Sequence, residues 1–426
     1  MPRHTTTPSP PLTASGTGPA NARTQKRVLT VLFASQILSG LGLAAGTTVA
    51  ALLVQDMLHS TALAGLSSGL LTAGSALTAI AVGRLSQARG RRPGLATGYL
   101  AGALGAAGVI TAAVTDSPAL LFVALFLYGA GTAVNLQARY AGADLAAPAH
   151  RARAISTVLV ATTLGGVAGP ALAGPTGALA DALGLPSLTG LFVIATVAFT
   201  LAALVLMIWL RPDPLLIART LHTDTDTDKA QQTSAPAASV PAPRGPSLPL
   251  GVLVLVLTQI VMVAVMTMTP VHMHAHGHGT AASGIVIALH VGTMYLPSLL
   301  TGRLVDRFGP APIAVWAALT LLASGILAAT APDSSVTLLA LALVLLGLGW
   351  NFGLVSGTAV VTDAVPLTTR AKTQGLVDVA VAIAGAAGGM ASGLVVAAAG
   401  YSVLAITGAA LALALLPAII ATARKR

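Results

Sequence analysis

The chain has 426 residues, 55% of them apolar and only 8% charged; ordinary soluble proteins carry about a quarter charged residues, so a water-facing globular surface of this size is excluded. Its 22 Lys and Arg exceed 12 acidic residues, all of them Asp, for a formal charge of +10. Cys is absent, which removes disulfides, thiolate metal sites and thiol nucleophiles together.

In chain order, residues 1–27 are rich in Thr, Pro, Ser and Gly, lack the charged-then-apolar order of a cleavable signal, and read as a disordered cytoplasmic tail. Crossing a hydrocarbon core takes about 20 apolar residues as helix. Stretches of that length recur at 28–54, 61–83, 93–115, 118–143, 153–176 and 187–210. Residues 211–249 interrupt them with Pro, a Thr-Asp repeat from Thr223 to Asp228 and an Ala-Pro-Ser run, a composition unable to bury a core. Six more spans follow at 250–273, 280–302, 310–330, 335–361, 373–397 and 401–422. The expectation is an all-α membrane protein with a six-helix bundle over 28–210, a cytoplasmic linker over 211–249 and a second six-helix bundle over 250–426.

The basic residues fall at Arg3 to Arg27, Arg84 to Arg92, Arg139 to Arg153, Arg211 to Arg244, Arg303 and Arg307, Arg370 and Lys372, and Arg424 to Arg426. All lie toward one side of the twelve spans, while the short loops of the other side carry Asp56, Asp116, Asp181 and Asp333 and no basic residue. The positive-inside rule then places both termini in the cytoplasm of a plasma (inner) membrane. The charge surplus is topology, so no nucleic-acid partner is expected. The partners are the lipid bilayer and a small substrate or metal ion, with the chain acting as a monomer.

A shift of 219 residues aligns Gly83-Arg84-Leu85 with Gly302-Arg303-Leu304, Asp144 with Asp363, Arg151 with Arg370, and Arg153 with Lys372. Two parallel repeats of six helices are the architecture of a transporter whose substrate site lies at midplane between its halves. Over nearly the whole folded chain these residues resemble the major facilitator superfamily, which implies twelve transmembrane helices in two pseudo-repeats. The family's loop between spans 2 and 3 reads roughly Gly-x-Leu-x-Asp-x-x-Gly-Arg-Arg. The second copy here keeps that Asp as Asp306, beside Arg303 and Arg307, whereas the first has Gln87, which leaves its charge brace in doubt. Asp144 with Arg151, and Asp363 with Arg370, resemble the family's gate residues at the inner ends of spans 4 and 10. Short basic loops also satisfy topology alone.

Where the repeats differ, a substrate should be read. Residues 262–294 hold five of the nine Met and five of the nine His. Met262 and Met266 are four apart on span 7, and His290 and Met294 four apart on span 8, so each pair projects from one helical face. Met262 stands about 17 Å above the inner edge and His290 about 14 Å below the outer one, nearly the same depth. Three thioethers and an imidazole suit Cu(I) and not Mg²⁺ or Ca²⁺. His272, Met273, His274, His276 and His278, at the outer end of span 7, would collect metal before entry. Each feature has a plainer reading: Met pairs often only pack, and a membrane His can simply bond a neighbouring carbonyl.

The Met-x-x-x-Met and His-x-x-x-Met pairs are similar to those of the CcoA-like copper importers within the superfamily, which by resemblance nominates Met262, Met266, His290 and Met294 as copper carriers. Asp378 in span 11 and Arg139 in span 4, with Asn135 one turn away on the same face, are candidates for coupling or gating, and Arg139 is within reach of Asp144. No nucleotide-binding Gly-rich loop and no catalytic constellation stands out, so an enzyme is not expected and no cofactor is permanently bound; copper enters only as cargo. The rival readings are a proton-coupled drug or metabolite exporter of the same fold and a metal-sensing membrane receptor that moves nothing.

Overall fold

The computed structural model describes residues 19–58, 61–232, 247–278 and 280–423, and the regular elements among them are helices. Span 1 comprises α1 (Pro19–Thr48) and α2 (Ala50–Leu58), span 2 is α3 (Thr61–Arg89), span 3 α4 (Arg91–Val114) and span 4 α5 (Pro118–Ala143). Span 5 comprises α6 (Arg151–Ala171) and α7 (Ala173–Ala182), span 6 is α8 (Gly190–Trp209), and α9 (Pro214–Gln232) follows it. In the second half, span 7 is α10 (Leu248–Ala275), and span 8 comprises α11 (Thr280–Tyr295) and α12 (Ser298–Phe308). Spans 9, 10 and 11 are α13 (Pro310–Thr330), α14 (Val336–Ala364) and α15 (Arg370–Ala399), and span 12 comprises α16 (Tyr401–Leu413) and α17 (Leu415–Ala423).

Ten of these stretches are long and apolar enough to cross a bilayer; α1 with α2 and α6 with α7 build the other two crossings. Helix is forced here because lipid offers backbone amides and carbonyls no partner. The ends are tuned locally: Ser117 caps α5 and Ser335 caps α14, each accepting a backbone N–H three residues on. Where span 8 breaks at Pro297, Asn351 donates to the Met294 carbonyl and the Ser298 hydroxyl, both at 2.7 Å, so the Met294 carbonyl keeps a partner at the interruption.

Each half has its own apolar core. One runs from Val28 to Leu210 around Tyr99, Tyr128 and Phe199. The other, around Leu255, Leu346 and Trp350, also takes in Tyr140, Ala143, Ala152, Ile155 and Leu159 from spans 4 and 5. Those five residues join the halves near the end of the bundle that carries the loops 89–91 and 308–310, called here the basic end.

Two readings of the sequence need correction. Helix α1 starts at Pro19, so residues 19–27, read as tail, are helical, while residues 1–18 lie outside the described residues. The segment after span 6, read as linker, contains α9, and its first turn is docked. Asp213 accepts from the Arg92 amide at 2.7 Å, Arg219 donates to the Gln87 carbonyl at 2.7 Å, and Leu215 and Ala218 bury against Leu367 and Ala371. Two apolar residues suffice to anchor this turn, and the polar Thr-Asp repeat after them masked that in the composition.

Candidate transport site and gate

At the basic end the two repeats meet in a nearly symmetrical lock. On α3, Gly83 lies against Ala371 and Gly375 of α15, so close that a Cβ would stand 2.9 Å from the Ala371 carbonyl oxygen. Its counterpart Gly302 lies against Ala152 and Ser156 of α6, with a Cβ 2.6 Å from the Ser156 hydroxyl. One turn further along, Asp306 caps the start of α6, accepting from the Ala152 amide at 2.9 Å and from the Arg153 amide and side chain at 3.2 and 3.0 Å. Gln87 does the same for α15 without charge: its Oε1 accepts from Ala371 at 2.8 Å, while its Nε2 donates to the Leu367 and Thr368 carbonyls at 3.2 and 2.6 Å. The brace doubted from the missing Asp is therefore present, made of an amide that uses both its acceptor and its donors. Arg84, Arg303 and Arg307 are exposed and lie outside this lock.

The chemistry of Gln87 yields a prediction. In Gln87→Glu, one oxygen keeps the helix cap but the other faces two carbonyl oxygens, so the closed end loses about 1–3 kcal/mol. Because the chain has no Cys, spin labels at Arg89→Cys and Arg307→Cys, exposed in opposite halves, report this directly. Their distance distribution should gain a longer component in the Glu variant, and an unchanged distribution would count against the lock.

Deeper in the same region the pairing differs from that expected. Asp144 binds Arg91, not Arg151: Arg91 Nε lies 2.8 Å from its carboxylate, and the same guanidinium reaches Gln374 of α15 at 2.6 Å. Arg151 instead pairs across the halves with Asp363, and Arg370 donates to the Val365 carbonyl at 3.2 Å. Arg139 pairs with Asp378, not Asp144; the 2.8 Å contact between α5 and α15 is buried on both sides. Thr358 and Tyr140 complete it, at 3.1 Å from Arg139 Nε and 3.3 Å from the Asp378 carboxylate, while Asp378 Oδ2 is buried without a hydrogen-bond partner. Asn135 is not part of this group. It faces the interior of its own half, donating to Ser39 at 3.0 Å and Thr162 at 3.3 Å. The partners Arg91, Gln374, Asp363 and Asp378 sit on neighbouring helices chosen by bundle geometry, which spacing along one helix does not reveal. Arg91 and Gln374 were missed on that ground, and Tyr140, though next to Arg139 on α5, because its bond to Asp378 crosses the halves; the offset of 219 that pairs Gln87 with Asp306 was a usable signal.

Met262, His290 and Met294 are buried at 4%, 0% and 6% exposure, and Met266 is partly buried against the same core. His290 sits where α11 crosses α14. Its Nδ1 lies 2.8 Å from the Leu343 carbonyl, which can only accept, so Nδ1 carries the proton; Nε2 is buried with no hydrogen-bond partner.

The outer His run begins in the last turn of α10 and ends beyond it. Helix α10 continues to Ala275, so residues 272 and 276 share one face, Met273 turns inward, and His274 points away exposed. Met273 is fully buried with its sulfur accepting from Ser283 at 3.8 Å, which removes it from the expected capture set. His272 and His276 instead meet Asp333 from the loop after α13, whose carbonyl also bonds His278 at 2.7 Å.

Two bundles of six crossings with repeat-related caps and a buried ion pair between them, Arg139 with Asp378, have the architecture of a membrane transporter, and sequence comparison assigns the family. A profile of the Major Facilitator Superfamily matches residues 32–297 and again 252–426, and the chain belongs to that superfamily. It is 53% identical over 395 residues to the uncharacterized MFS-type transporter YdeG of Bacillus subtilis, covering 93% of this chain and 91% of that one. A segment of 92 residues is 40% identical to the riboflavin transporter RfnT of Brucella anthropi, 22% of this chain and 23% of that one. Among solved structures, the human organic anion transporter MFSD10 superposes with a TM-score of 0.73 at 19% identity, covering 93% of this chain and 99% of that one, a likeness of fold alone.

Proposed function

We propose that this membrane protein is a secondary transporter working by alternating access, set in the plasma membrane with its basic end toward the cytoplasm, and that it carries Cu(I) or another soft transition metal inward past Met262, Met266, His290 and Met294. The observation that carries the cargo reading is the state of His290. A buried ring nitrogen without a partner costs about 1–3 kcal/mol, and such groups call for an explanation. A His that donates one N–H to a backbone carbonyl holds its other nitrogen as a lone pair in fixed orientation, the arrangement typical of metal-ligating imidazoles. With buried thioethers on the same two spans, the donor set is soft and uncharged, which favours Cu(I). The Arg139–Asp378 pair supplies the gate: it holds the halves together while charged, and protonation of Asp378 from the cytoplasm would release it.

A second reading, an organic cargo, draws on the segment shared with RfnT. Copper accumulation in cells expressing the chain separates the two. Joint replacement of Met262, Met266, His290 and Met294 by Leu is expected to abolish the accumulation above background at unchanged membrane level. Equal accumulation by both chains would move the search to organic substrates.

A further inference from the structure

We infer that the outer end of span 7 and the loop between spans 9 and 10 together form a surface site for a divalent first-row transition metal, with Zn²⁺ the representative ion, built from His272, His276 and Asp333. It does not depend on what the transporter carries.

The three donor atoms lie within 4.8 Å of one another. His272 Nε2 stands 3.3 Å from Asp333 Oδ1, and His276 Nε2 stands 3.4 Å from Asp333 Oδ2. Those separations are long for a charge-assisted hydrogen bond, which closes to about 2.7–2.9 Å. They end on the two different oxygens of one carboxylate and are close to the spacing of about 3.3–3.5 Å between neighbouring ligand atoms of a tetrahedral Zn²⁺, so a small rotation of Asp333 and closure of the rings brings all three donors onto one ion.

The surroundings hold the donors in the state a metal needs. His276 Nδ1 lies 2.8 Å from the His272 carbonyl, so Nδ1 donates and Nε2 is left as a lone pair facing Asp333. The His272 ring stacks on Tyr401 with centroids 4.4 Å apart and planes at 14°, and the Tyr401 hydroxyl is tied to Thr269 at 2.7 Å. His278 fixes Asp333 from the backbone side. Asp333 is 61% exposed and His276 39%, which leaves room for water to complete the coordination. Two imidazoles and a carboxylate are a borderline set suited to Zn²⁺ and its neighbours, and unlike the thioether set deeper in span 7 they do not favour Cu(I). Two ligands come from α10 and the third from the α13–α14 loop, so an ion bound here pins the outer end of span 7 to the rim of its own half.

The full chain, purified in nanodiscs with a tag containing no His, is titrated with Zn²⁺ in competition with a chromogenic chelator, and its unfolding temperature is recorded with and without the ion. One tight Zn²⁺ per chain is expected, with a rise in unfolding temperature. His276→Gln and Asp333→Asn should each weaken binding at least about tenfold and remove the rise, while unfolding as the parent does without Zn²⁺. His274→Gln should change nothing, and neither should Met262→Leu with Met294→Leu, which separates this site from the proposed cargo route. Absence of the tight site, or binding unaltered in both His276→Gln and Asp333→Asn, would overturn the inference.

Discussion

Arg139→Leu is expected to destabilise the purified protein by about 3–5 kcal/mol, whereas Arg139→Leu combined with Asp378→Leu should regain most of that loss. The asymmetry follows from burial. The two side chains are 0% and 3% exposed and touch at 2.8 Å, so removing Arg139 leaves a carboxylate in an apolar interior with only Tyr140 beside it. Removing both leaves an apolar contact that asks nothing of solvent. Transport should fail in both variants, because the pair spans the halves and, in the proposed mechanism, its making and breaking gates alternating access. Asp378→Asn leaves the Arg139 guanidinium buried without its counter-charge and should also destabilise, less than Arg139→Leu because the amide oxygen still accepts from it, and the uptake it retains should lose its pH dependence. Thermal unfolding of the single and double variants measures the first claim, and equal stability would mean that the pair is not an essential tie. Unchanged pH dependence in Asp378→Asn would remove the coupling role.

His290→Leu separates a packing residue from a ligand. The structural contribution of His290 is one hydrogen bond to the Leu343 carbonyl, a carbonyl inside α14 that retains the helix's own bonding. Loss of that bond costs about 1 kcal/mol, and Leu fills much of the same volume, so the unfolding temperature should move little. Removal of a metal donor acts on another scale, and copper uptake should fall by well over tenfold. His290→Asn, whose side-chain amide can supply a donor but no imidazole lone pair, should not restore it. A variant with near-normal uptake would return His290 to helix packing.

The spans were legible because a membrane forces long apolar runs, and the repeat was legible because charge recurs at a constant offset. Gln87 shows what offset can and cannot tell. Its alignment with Asp306 marks it as the first repeat's brace position and left the brace in doubt, and only the geometry shows that it caps the start of α15 and that an amide serves there by donating to two carbonyls as well as accepting. Pairing of charges was not legible. Arg139 and Asp378 lie in different halves, and their contact depends on how α5 crosses α15, which no local pattern encodes. Asp144 was misassigned for the same reason, its partner Arg91 standing on a third helix. At the outer end of span 7 the His spacing was visible, yet ending the span at 273 and treating all five residues as one capture set hid the helical phase that buries Met273 and turns His272 and His276 toward Asp333.

Uptake of Cu(I) into proteoliposomes containing the full chain as their only protein tests the central claim most directly. Saturable accumulation inside the vesicles is expected, absent from empty liposomes and abolished when Met262, Met266, His290 and Met294 are replaced together by Leu in a protein that reconstitutes normally. Copper entering protein-containing and empty vesicles at the same rate, while riboflavin or another organic solute is accumulated only with protein present, would contradict it.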